Sequence, residues 1–146
     1  MENWETLKEE IYFVDGSLRD IYVFDTDKED WKRWAIYVNE NFTVQFFNGR
    51  TLKMEDRINI DDLLLYFTNP ADFTEVNKAS IIFGNIYINC ILFWEPEMES
   101  DIDPREVQSL EDHQAIVGYM KSVAKVLNKK VILTLEAIKE LVLIEV

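Results

Sequence analysis

The chain has one cysteine and one histidine in 146 residues. A single cysteine excludes an internal disulfide framework. One cysteine and one histidine together cannot supply a zinc site of the His/Cys type. Four glycines are scattered singly, so no glycine-rich loop can cradle a phosphate. Four glycines and three prolines also leave no room for a flexible linker. No window approaches the 18 or so apolar residues of a membrane span. Residues 1–10 are acidic and polar, without the basic start and apolar run of a secretory signal, so the expected location is cytoplasmic.

Positive charge is also scarce. Fifteen Lys and Arg face 28 Asp and Glu, for a net charge of −13. That balance argues against nucleic-acid and anionic-membrane surfaces and favours a basic partner. What is abundant is apolar: 48% of the residues are hydrophobic, enough for a core in a chain of single-domain length.

Residues 79–94 are the centre of the pattern. Gly84-Asn85 lies between two β-rich runs and signals a two-residue hairpin, because its turn needs positive φ. The second arm places Ile86, Ile88, Cys90, Leu92 and Trp94 on one face and Tyr87, Asn89, Ile91 and Phe93 on the other. With both faces largely apolar, the strand is expected mid-sheet and covered on both sides. Cys90 then reads as a small buried apolar residue. Further strands are expected at residues 11–14, 18–24, 42–47, 50–54, 131–135 and 141–146, with a turn at Asn48-Gly49.

Two main helices are expected at residues 27–40 and 110–128. The first opens on a capping box at Thr26 and Glu29, and Trp31, Trp34, Ala35 and Val38 make its apolar stripe. The second opens on Ser109, closes at Asn128, and carries His113, Ile116, Val117, Met120, Ala124 and Leu127 inward. A shorter helix over residues 60–67 has Asn59 as its cap, and residues 3–10 suit a short helix or a frayed end. The fold class is therefore α+β: one domain over residues 1–146, with a largely antiparallel, possibly mixed sheet of six or more strands and two main helices packed on it.

No nucleophile–base pair is legible. A Ser–His or Cys–His arrangement would have to use His113, which sits on an apolar helix face and reads as a boundary histidine bonded to a neighbour. Arg19 and Asp20 open a strand and are expected to pair locally. The anomaly is the run Glu95-Pro-Glu97-Met-Glu99-Ser-Asp101-Ile-Asp103-Pro. Acids recur at every second residue, so an extended chain points all five carboxylates one way and Met98 and Ile102 the other. The segment from residue 95 to residue 112 alone carries a net −7. A solvated edge strand, a docking surface for a basic protein and a hard-cation site all fit this spacing. A flat ladder spreads its ligands, which counts against the cation.

The expectation is a non-enzymatic interaction protein. It binds a basic partner through Glu95, Glu97, Glu99, Asp101 and Asp103, with no catalytic residues, metal or cofactor. In size and charge alone it is similar to small acidic bacterial immunity or antitoxin-like proteins, which inhibit a basic toxin. The alternatives are a small metal-dependent or ligand-binding enzyme with a carboxylate-lined pocket, and a homo-oligomeric structural component.

Overall fold

The computed structural model describes residues 2–146. Helix α1 (Trp4–Glu10) is capped by Asn3, whose side-chain oxygen accepts from the N–H groups of Glu5 and Thr6. Strand β1 (Arg19–Phe24) leads to helix α2 (Lys28–Asn41). Strands β2 (Thr43–Asn48) and β3 (Lys53–Glu55) form a hairpin, followed by helix α3 (Ile60–Thr68). Strands β4 (Asn77–Phe83), β5 (Ile86–Leu92) and β6 (Glu97–Ile102) run in succession to helix α4 (Leu110–Leu127). Strands β7 (Ile132–Leu135) and β8 (Ile138–Glu145) close the chain.

The eight strands make one sheet in the order β3-β2-β4-β5-β6-β1-β7-β8, and every pairing is antiparallel. The α+β class holds, without parallel pairs. Helices α2 and α4 lie on one face. Trp31, Trp34, Ala35 and Val38 of α2 and Ile116, Tyr119, Met120 and Val123 of α4 are buried with the inward residues Ile21, Val23, Ile88, Cys90 and Met98 of the strands. Trp34 Nε1 donates to Tyr119 Oη at 3.0 Å and ties the two helices together.

The opposite face is open over β5, though covered over β1, where Asp20 and Tyr22 are buried, and this corrects the expectation of a central strand covered on both sides. Along β5, Ile86, Ile88, Cys90 and Leu92 are buried, whereas Tyr87 and Ile91 remain 39% and 40% exposed. Apolar character on both faces therefore did not mean burial on both. Trp94, expected on the same covered face as Ile88 and Leu92, is 51% exposed because the strand ends at Leu92.

Other departures have local causes. Residues 11–14 form no strand. The buried Arg19 guanidinium donates to the carbonyls of Ile11 (2.7 Å) and Phe13 (2.6 Å), giving this backbone partners that no ladder supplies. The cap of α2 is Asp27, boxed with Asp30. The Thr26 hydroxyl instead donates to the Glu95 carbonyl at 2.6 Å. Asn48 belongs to β2, and residues 49–52 make the link to β3, with Leu52 at φ 61°. Gly49 is needed there for space. A Cβ would stand 1.8 Å from the Glu75 carbonyl oxygen, a backbone atom that cannot turn aside. His113 is bonded to a neighbour as expected: Tyr12 Oη lies 2.6 Å from Nδ1 in a buried contact.

Candidate functional site

The acidic run does not form an edge. Strand β6 lies between β5 and β1, so its backbone is paired on both sides and only its side chains can meet a partner. Period-two alternation buries Met98, Ser100 and Ile102 and turns Glu97, Glu99 and Asp101 onto the open face.

The neighbouring strand repeats the pattern. In β1, Ile21 and Val23 point into the core, and Asp20, Tyr22 and Phe24 point to the other face, where Asp20 and Tyr22 are buried and Phe24 is exposed. Register then sets Asp20 beside Asp101, Tyr22 beside Glu99 and Phe24 beside Glu97. On the other flank β5 places Asn89 beside Asp101 and Ile91 beside Glu99. Directly paired residues stand about 5 Å apart, so Asp20 and Asp101 are two carboxylates at close quarters.

The charge on this line is mostly uncompensated. Burial, then the neighbouring Asp20 charge, pushes the Asp101 carboxyl up to about 6, against a hydrogen bond from Asn89 that pulls it down; Glu136 and Glu99 push it further up. Burial and the charges of Asp20 and Glu97 also raise Glu99, with Lys139 opposing. Asp20 Oδ2 accepts from Tyr22 Oη at 3.0 Å and from the Ala137 N–H at 2.7 Å. Among the described residues, the one ion pair in this line is Glu97 Oε1 with Lys139 Nζ, at 2.8 Å.

Three of the five expected residues thus come together. Glu95 lies in the turn before β6, where its carbonyl accepts from Thr26 Oγ1 and from Trp31 Nε1. Asp103 sits past the strand. It accepts from the Arg105 N–H and binds the Arg105 guanidinium at 2.7 Å, which holds its carboxyl below the usual range. Asp20, Tyr22, Phe24 and Lys139 complete the site and were not expected in it. Their own alternation was legible, but their register against β6 was not.

Beside the acids the face is apolar. Tyr87, Ile91 and Phe93 are each about two-fifths exposed, and Phe24 is 37% exposed. Strand spacing puts this patch one strand, about 4.8 Å, from the carboxylate line. Among the described residues, no group of three or more His, Cys, Asp and Glu side chains is placed to hold a metal ion. Cys90 is buried and its thiol is pushed well above its ordinary range by desolvation, the opposite of an activated nucleophile. No protein family, curated protein or solved structure matches the chain. No helix among the described residues is long and apolar enough to cross a membrane.

Proposed function

We propose that the protein is a non-enzymatic binding module whose open sheet face takes a basic protein partner. The observation that carries this reading is the outward line Glu97, Glu99 and Asp101, facing Asp20 with a single lysine to offset it. Carboxylates held close together in a partly desolvated site repel each other, and a partner's lysine or arginine relieves that repulsion. The gain belongs to the bound state alone. The apolar strip of Tyr87, Ile91 and Phe93 supplies area that water leaves on contact. Long-range steering by a net charge of −13 speeds the encounter. Such a module suits an inhibitor that covers a basic toxin or nuclease in the cytoplasm.

The test is affinity capture from a lysate of the source organism. Wild type would be compared with the triple variant Glu97→Gln, Glu99→Gln, Asp101→Asn and with Ile91→Asp, using elution by a salt gradient. The expected outcome is a basic protein held by wild type at low salt and lost by both variants. Retention that survives both sets of changes, or that does not weaken with salt, would place the binding elsewhere.

A further inference from the structure

Lys139 is far from Glu97 in strand order. It lies on β8, and Glu97 lies on β6, with β7 and β1 between them. Three strand spacings in a flat sheet come to about 14 Å, which both side chains could span only when fully extended and laid flat along the sheet. The 2.8 Å contact, with the Ala137 N–H on the Asp20 side chain, places the start of β8 over this face. The register shows how. Leu135 pairs with Ile138 and Thr134 with Val142, so β7 advances one residue while β8 advances four. Lys139 lies in that bulged stretch. Bulges bend a strand and re-aim its side chains. The turn is pinned as well, by the Ala137 N–H on Asp20 Oδ2 at 2.7 Å and by Glu136 Oε1, which accepts from the Leu18 N–H at 2.6 Å.

The ammonium arrives at a formed receptor. It lies 5.3 Å from the Tyr22 ring centroid and 5.6 Å from that of Phe24. Those two rings are stacked, 5.6 Å apart and 12° from parallel. One carboxylate and two aromatic faces make the chemistry that recognises an organic cation.

We infer that Glu97, Tyr22 and Phe24 form a subsite for a cationic side chain, and that Lys139 fills it in the free protein as a stand-in for a lysine or arginine of the partner. This rests on the docking reading above and locates one contact within it. The partner's cation displaces Lys139, and the bulged stretch of β8 is the part that moves. Because Lys139 is tethered, it competes at an effective concentration of order millimolar. The free face is thereby shielded from stray cations until a partner brings several contacts at once.

The experiment needs no partner. Butylammonium chloride is titrated into wild type, Lys139→Ala and Lys139→Met, with sodium chloride at equal ionic strength as the reference. The Tyr22 and Phe24 ring resonances are followed by NMR. Lys32→Ala, on the exposed side of α2, makes the same charge change away from the site. Saturable shifts are expected in both Lys139 variants, at a midpoint below that of wild type. They should vanish when Glu97→Gln is added, and Lys32→Ala should behave as wild type. Equal titrations for wild type and both Lys139 variants, or shifts that survive Glu97→Gln, would overturn the subsite. That failure would leave the capture experiment unaffected, so the two readings stand or fall separately.

Discussion

Two aspartates of this molecule have opposite fates. Asp62, at the start of α3, is 5% exposed and fully partnered. Arg50 Nε and Nη2 bind it at 2.8 and 2.9 Å, and Asn48 Nδ2 donates to it at 2.6 Å. Those donors hold its carboxyl below the ordinary range. Asp101, at the middle of the sheet, faces Asp20 and rises to about 6. The first region uses its charge to lock the link after β2 against α3 and β4. Asn77 extends the lock by accepting from the Gly49 N–H and donating to the Asp62 carbonyl. The second region gives its acids no arginine: Asn89 bonds Asp101, Tyr22 Oη and the Ala137 N–H donate to Asp20, and Lys139 pairs with Glu97. The same residue type therefore serves as a clamp where donors converge, and is pushed toward its neutral form where burial and a neighbouring carboxylate meet too few donors.

The strongest way to break the clamp is Gly49→Ala. The methyl group meets the Glu75 backbone at a distance no rotamer can relieve. The expected loss is about 3 kcal/mol, the upper end for an overpacked site, read as a lower urea midpoint with an unchanged slope.

Asp62→Asn comes next. It leaves the donors of Arg50 and Asn48 poorly matched, and should cost about 2 kcal/mol at pH 7. Its pH dependence gives the sign. A carboxyl depressed in the folded state contributes stability above its unfolded value and loses it as pH falls through the folded value. The gap between wild type and variant should therefore close in strong acid.

Asp101→Asn should do the reverse. A carboxyl raised to about 6 in the folded state binds its proton more tightly folded than unfolded. Its contribution is most favourable below the unfolded value and is lost as pH rises toward 6. A gap of about two pKa units sets a ceiling near 3 kcal/mol, and partial solvation reduces it to about 1–2 kcal/mol. The variant should melt above wild type at pH 7 and together with it near pH 3.5. If it melted lower at pH 7, Asp101 would be a satisfied acid like Asp62 and the contrast would fail.

The smallest effect is expected at Ile91. Ile91→Ser on the open face should change stability by no more than about 0.5 kcal/mol. The same change at Ile88, three positions earlier and on the buried face, should cost about 3 kcal/mol. Equal costs at the two positions would mean that the outer face is covered after all.

Much of the fold was legible because its signals are local. The Gly84-Asn85 turn, the α2 stripe of Trp31, Trp34, Ala35 and Val38, the Ser109 and Asn128 caps of α4, and the inward Met98 and Ile102 are all where a short window of sequence puts them. The misreadings came where a distant residue took over a local group. Thr26 was drawn from its capping role by a carbonyl 69 residues away. The expected strand at residues 11–14 yielded its carbonyls to Arg19.

The sequence by itself determined that acids recur with period two through residues 95–103, and hence that an extended chain turns them to one side. It also determined the excess of negative charge. Only the tertiary structure decided that this strand is interior, that Asp20 stands beside Asp101, and that Lys139 crosses the face to Glu97. Alternation is a property of one strand's backbone and is written in a few consecutive residues. Register and strand order arise from packing between segments as far apart as Arg19 and Leu135, and no single window contains them.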